Sequence, residues 1–147
     1  TVSGLAKGAD GFAHRTALRF NLPTIGVIGT GLDISYPRQH RDLQQQISQV
    51  GLLISEYPLG VGPEPYHFVA RNRIIAGLCQ TVIVVEAQAH SGSLITANIA
   101  LQNNRNVLAV PGPIDAPFSV VCNQLIVAGA KPVLNSRHII EEFLPKI

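Results

Sequence analysis

Phe68-Val-Ala-Arg-Asn-Arg-Ile-Ile-Ala-Gly77, Thr81-Val-Ile-Val-Val-Glu-Ala87 and His90-Ser-Gly-Ser-Leu-Ile-Thr96 follow one another along the chain. The first stretch reads as a helix. The second is a β-branched run, nearly all apolar, as expected of a parallel strand buried on both faces. The third is a Gly-flanked hydroxyl turn that ends the strand and opens a further helix. Such a turn presents free backbone N–H groups to an anion. Two arginines just before the strand add bidentate phosphate donors. The chemistry points to phosphate, on a nucleotide or along a nucleic-acid backbone.

The same pattern extends outward in both directions. Thr24–Ile28, Leu52–Ser55 and Asn106–Val110 read as further buried parallel strands, and Thr1-Val-Ser-Gly-Leu5 as an opening strand. Helices are expected over Gly11–Phe20, Arg38–Val50, Phe68–Cys79, Ser93–Asn103, Val120–Ala128 and Ser136–Leu144. Alternating strands and helices mark an α/β fold, a three-layer α/β/α sandwich around a mostly parallel sheet. In such sheets ligands bind beyond the carboxyl ends of the strands. Nearly every Gly and Pro cluster falls at one of those ends, from Gly4–Gly8 through Gly29–Asp33 and Ser55–Pro58 to Pro111–Pro113.

The bulk numbers exclude several classes. At 147 residues, 46% hydrophobic and 14% charged, the chain is neither disordered nor too small for a core. It reads as one domain over residues 1–147. A net charge of +2 is too small to argue for a polyanion partner by itself. The chain carries no Met and opens directly in a strand, so it reads as an internal piece of a longer protein. No apolar run reaches transmembrane length, so no membrane contact is expected. Cys79 and Cys122 sit in apolar helical contexts and read as free thiols of a cytoplasmic protein. No Cys/His spacing suggests a metal site, no nucleophile–base pair is visible, and no cofactor is expected.

Candidate ligand contacts follow from placement. Gly92 permits close backbone approach, with Ser91 and Ser93 flanking it and Ser93 placed to cap the helix. Arg71, Asn72 and Arg73 cannot share a direction, since helical neighbours differ by about 100°. One arginine therefore reaches the ligand while the other turns toward a carboxylate such as Glu56 or Glu86. Arg71 is the one expected at the ligand. Lys7, Arg38 and Arg105 are basic residues at turns or helix starts. Phe68 offers an aromatic face to a base, with Tyr57 and Tyr66 as weaker alternatives. His14, on an apolar helix face, reads as a hydrogen-bonded structural residue. Leu125, Ile126 and Val127 are consecutive, so at least one of them points away from the core.

These motifs resemble the DNA-processing protein A (DprA/Smf) family. The resemblance rests on Ser3-Gly-Leu-Ala-Lys-Gly8 with Asp10 and Ala13-His14, and on Gly29-Thr-Gly-Leu-Asp33 with Tyr36-Pro37. It continues through Ser55-Glu-Tyr-Pro58, Phe68 with Arg71-Asn-Arg-Ile-Ile-Ala-Gly77, Val85-Glu-Ala87 and Ser91-Gly-Ser-Leu-Ile-Thr-Ala97. Ala109-Val-Pro-Gly112, Cys122-Asn-Gln-Leu-Ile126 and Gly129-Ala130 complete it, over roughly nine tenths of the chain. The resemblance implies a Rossmann-like domain that binds single-stranded DNA, forms a homodimer, and helps to load the RecA recombinase in natural transformation and recombination. It implies no enzyme. It places the dimer and RecA contacts near Leu125–Val127, basic DNA contacts near Arg38 and Arg105, and base stacking at Phe68. The family's domain begins earlier, with a strand and a Gly-Ser/Thr-Arg loop that this chain lacks. Where relatives carry Gly before the position of Arg105, this chain has Asn104. Pro65, Val69 and Val121 also depart from the common pattern.

Two rival readings use the same cradle. One is a nucleotide-binding sensor. The other is a phosphoribohydrolase-like enzyme, distantly similar to the "lonely guy" type. Aligning Ser91–Ser93 with that enzyme's glycine turn puts Ile95 and Thr96 where its paired acids belong. An oxocarbenium-like transition state needs a carboxylate there.

Overall fold

The computed structural model describes residues 1–89 and 91–144. The chain divides into two compact units, Thr1–Leu78 and Cys79–Ile147. Each is built around a three-stranded sheet in which every pair is parallel.

In the first unit β1 (Val2–Ser3), β2 (Ile25–Val27) and β3 (Leu52–Ile54) lie in that order. Val2 pairs with Ile25, which pairs with Leu52. The helices are α1 (Ala9–Arg19), α2 (Arg41–Val50) and α3 (Pro65–Leu78). Leu43 and Ile47, one turn apart on α2, pack with Leu5 and Ile28 as the core, with Leu18 and Leu53 at its margin. Leu5 is fully buried at φ +60°, a backbone state costly for an L side chain. Its burial in this core offsets that cost.

His14, expected to be structural, is fully buried on α1, with Nδ1 2.7 Å from Thr24 Oγ1. Burial pushes its pKa below the ordinary 6.5, with Asp10 opposing the shift. The unfolded chain therefore takes up this proton more readily than the folded one. His14's contribution is fully present above pH 6.5 and is lost as pH falls through its depressed folded value. We expect the urea midpoint to drop between pH 7.5 and pH 5, and His14→Gln to flatten that drop. Parallel pH profiles for the two proteins would contradict this assignment.

In the second unit β4 (Thr81–Val84), β5 (Asn106–Ala109) and β6 (Lys131–Pro132) lie in order, with Thr81 opposite Asn106 and Leu108 opposite Lys131. The helices are α4 (Gly92–Gln102), α5 (Val120–Val127) and α6 (Ser136–Ile140). Val82, Val84, Val107, Leu108, Ala97, Ala100, Val121 and Cys122 are buried. Both cysteines are free.

Several elements differ from the sequence reading, among them α6, which ends at Ile140 rather than Leu144. The expected strand Thr81–Ala87 pairs only as far as Val84. Beyond that point the backbone leaves the sheet, and Ala87 N–H donates to Phe118 O. Helix α3 begins at Pro65 rather than Phe68, because proline suits the first helical position. Strand β6 was not anticipated: two residues, one of them Pro, show no strand pattern, and Pro is tolerated only at such an edge. Asn104 adopts φ +53°, which Asn tolerates better than most L residues.

Candidate functional site

In the first unit the three parallel strands end on one side, and the loops that follow are held by side chains reaching backbone. Asp10, in the first turn of α1, accepts from Ser3 Oγ (2.6 Å), Gly4 N (3.1 Å) and Ala6 N (3.1 Å). His40 Nδ1 bonds Leu5 O at 2.9 Å, and His67 Nδ1 bonds Gly29 O at 3.1 Å. Ser55 Oγ donates to Thr30 O (2.6 Å) and accepts from Tyr57 N (3.0 Å). Both carboxylate oxygens of Asp33 accept from Gly60 N, at 2.9 and 3.0 Å. Charge-assisted bonds of this kind are roughly twice as strong as neutral ones. The loops are thus set before any ligand arrives. Lys7 and Arg38 stand exposed on this rim.

The arginine pair of α3 splits as helical geometry requires, but not in the expected sense. Arg71, expected at the ligand, is only 5% exposed. Its Nη1 donates to Gly4 O at 2.7 Å and to Val27 O, and its Nε donates to Asn72 Oδ1 at 3.1 Å. The guanidinium is spent on the carbonyls that end β1 and β2. Burial lowers its pKa, with Asp10 opposing. Arg73 is the residue paired with a carboxylate, Glu56, on the surface. Asn72 is half-buried beside Arg71. Phe68 is half-buried, and its ring stacks on Tyr36 with centroids 5.2 Å apart. A cavity of about 370 Å³ lined by Leu18, Leu22, Ile25, Val50 and Leu52 opens at the opposite end of this sheet. Its lining is mainly apolar, with Asn21 and Thr24 among it, and carries none of the candidate residues.

In the second unit Ser91, Gly92 and Ser93 open α4, as expected. The N-cap is Ser91, however, and Ser93 lies inside the first turn. No side chain caps this end, and Ser91 Oγ is enclosed without a hydrogen bond among the described residues. Thr96 Oγ1 donates to Gly92 O at 3.0 Å, so that hydroxyl is tied into its own helix. His90, which precedes the turn, lies outside the described residues. Arg105 is half-buried just before β5. Because β4 and β5 run parallel, it sits at the other end of the sheet from the Ser-Gly-Ser turn. A four-residue strand separates them, about 13 Å. Arg105 and the turn therefore do not share one phosphate cradle. Asn123 clamps Gly112, accepting from its N–H (3.2 Å) and donating to its C=O (2.9 Å). Leu125 is buried, Ile126 is half-buried and Val127 is 89% exposed, so Val127 is the member of the trio that points outward.

The loop-setting roles of Asp10, Asp33, His40, His67 and Asn123 escaped the sequence reading. For Asp10 and Asp33 the available signal was a short acidic residue two positions after a glycine, whereas the partners of His40, His67 and Asn123 lie 35, 38 and 11 residues away and leave no local signal. Among the described residues no cluster of His, Cys, Asp or Glu suits a metal ion, and no helix is long and apolar enough to cross a membrane.

Fold and site together define a class: open parallel α/β units whose exposed cations lie where such sheets take ligands. The chain belongs to the DNA recombination-mediator protein A family, whose model matches residues 1–144. It is 51% identical over 142 residues to the DNA processing protein DprA of Streptococcus pneumoniae, covering 97% of this chain and 50% of that one. With protein Smf of Escherichia coli it shares 49% over 141 residues, covering 95% of this chain and 38% of that one. The X-ray structure of DNA processing protein A from S. pneumoniae matches with a TM-score of 0.90 at 49% identity, over 96% of this chain and 50% of that one. DNA processing protein A from Helicobacter pylori, whose structure is described for its single-stranded DNA binding mode, matches with a TM-score of 0.87 at 32% identity. That match covers 97% of this chain and 64% of the other. The chain spans half or less of the length of these S. pneumoniae and E. coli relatives. The family resemblance and the α/β architecture read from the motifs are both shown.

Proposed function

We propose that this chain binds single-stranded DNA along its backbone without changing it chemically, within a longer cytoplasmic protein that protects incoming strands and helps to load RecA. The observation that carries the reading is the likeness, at 32% identity and over 97% of the chain, to a protein described for its single-stranded DNA binding. The exposed Lys7 and Arg38 on the preset rim of the first unit supply cations for phosphates. Ser91, Gly92 and Ser93 stand at the start of α4, whose N-terminal end attracts phosphate, and Arg105 is a separate cation at the other end of that sheet. The trio Leu125, Ile126 and Val127, through the exposed Val127, is the proposed contact with a second copy or with RecA.

The test is fluorescence anisotropy with labelled oligo-dT of several lengths at two salt concentrations. Affinity rises with length and falls with salt, because each phosphate contact releases counterions. Arg38→Ala and Lys7→Ala each lower the salt slope by about 0.7, the single-strand value per contact. Duplex DNA binds less well, since its bases are not available for stacking. Tight mononucleotide binding with no length dependence, or a preference for duplex, would overturn the reading.

A further inference from the structure

Phe68, the aromatic residue expected to meet a base, has little free face to offer. One face carries Tyr36, at 5.2 Å between centroids and 29° between planes. The Arg71 guanidinium lies 5.9 Å from its centroid. A Cβ placed on Gly29 would stand 2.9 Å from Phe68 Cδ1, so the ring rests against bare backbone. Tyr36, by contrast, is 46% exposed.

The geometry points to Tyr36 as the residue on which a base of the bound strand stacks, with Phe68 as the floor beneath it. This inference rests on the single-stranded DNA reading and deepens it. A stacking platform needs a ring with one accessible face and little freedom to lose. Phe68 backs the Tyr36 ring and is itself held between the Gly29 backbone and Arg71. Arg71 in turn is anchored on Gly4 O and Val27 O. A ring held in this way loses little side-chain entropy when a base arrives. Exposed Arg38, two residues further on, places a cation beside the platform for an adjoining phosphate. Aromatic faces accept every base, so the platform adds affinity without reading sequence. The other two tyrosines are built differently. Tyr57 is half-buried with its ring 3.8 Å from that of His67; Tyr66, though 66% exposed, meets His67 only edge-on at 4.4 Å and has no ring stacked beneath it among the described residues.

The experiment measures oligo-dT affinity by anisotropy for the wild-type chain and for Tyr36→Ala, Tyr36→Leu, Tyr36→Phe and Tyr66→Ala. It adds a strand carrying 2-aminopurine, whose fluorescence is quenched by stacking. Leucine keeps apolar cover over Phe68 but offers no aromatic face, so it separates stacking from packing should the alanine variant fail to fold. Tyr36→Leu and Tyr36→Ala are expected to weaken binding about 5- to 160-fold, the range for one lost base–aromatic stack. Their salt slope stays at the wild-type value, because no phosphate contact is lost. Tyr36→Phe and Tyr66→Ala bind as wild type, and only the Leu and Ala variants at position 36 lose the quenching. Wild-type affinity and quenching in Tyr36→Leu, or their loss in Tyr66→Ala instead, would overturn this inference alone. Absence of strand binding by the wild-type chain would overturn the proposed function and the platform with it.

Discussion

Arg71→Ala is expected to destabilise the chain by about 3–5 kcal/mol, from lost charge-assisted bonds and two carbonyls left buried without a donor. The guanidinium joins Gly4 O, at the end of β1, to Val27 O, at the end of β2, from its position on α3. No water reaches a group only 5% exposed, so nothing replaces these bonds when the side chain is cut back. Arg71→Lys recovers little, because an ammonium lacks the planar fork that also reaches Asn72 Oδ1. The contrast with Arg73, two residues on, isolates the cause. Its ion pair with Glu56 is 57% and 42% exposed on its two sides, and Arg73→Ala costs at most about 1 kcal/mol. Urea unfolding of the two variants reads the difference directly. Equal midpoints would show that Arg71 does not bear the load assigned to it. Because Arg71 acts on the fold, loss of DNA binding in its alanine variant says nothing about contact with DNA. The exposed Arg38 is the residue for that question.

Gly31→Ala is expected to cost about 2–4 kcal/mol, combining overpacking with the weakening of a charge-assisted bond. An added Cβ would stand 2.5 Å from Pro58 O, 2.7 Å from Asp33 Oδ1 and 3.1 Å from Gly60 N. Two of these are backbone atoms, which cannot swing aside as a side-chain tip does. The loop after β2 and the loop after β3 would have to part, and the bonds from Gly60 N to Asp33 would stretch with them. Asp33→Ala separates the two contributions: it removes the bond without the clash and, because the bond is exposed to solvent, is expected to cost about 0.5–1.5 kcal/mol. Gly31→Ala also loosens the rim that carries Arg38, so its strand affinity falls at every salt concentration rather than through a changed slope. A variant as stable as wild type, with unaltered affinity, would show that the loops yield freely here.

Local pattern carried much of the architecture. Apolar runs declared β2, β3, β4 and β5, as expected where helices cover a parallel sheet, but β3 was read as buried and is a part-exposed edge strand, with Leu52 51% exposed. On α2 the structure buries Leu43 and Ile47, four residues apart and so on one face. Where the pattern was short or mixed, as in Lys131-Pro132, the strand was invisible. Its pairing is decided by Ala109 O, which accepts from Val133 N across more than twenty residues of chain.

The candidate site was legible as a set of places and not as a set of directions. Gly clusters marked the strand ends, and the cations near them were apparent by position. Helical spacing demanded that Arg71 and Arg73 diverge, but nothing local says which one turns inward. That depends on acceptors 67 and 44 residues away, Gly4 O and Val27 O, lying within reach of one residue of α3 and not the other. Phe68 was apparent as an aromatic residue at a helix start. Its contact with Tyr36, 32 positions earlier, is a matter of tertiary packing. Ser91 rather than Ser93 at the cap, and Val127 rather than Leu125 at the surface, were settled by where each helix begins and which face the core takes up.

The sequence by itself therefore determined the alternation of strand and helix, the glycine-rich turns at the strand ends, and membership of the family. These follow from periodicity, turn chemistry and ordered motifs, all written in neighbouring residues. The tertiary structure alone decided which arginine is a tie and which is a surface charge, and which ring is exposed. A side chain's partner is set by burial and by acceptors that come together only when distant segments pack.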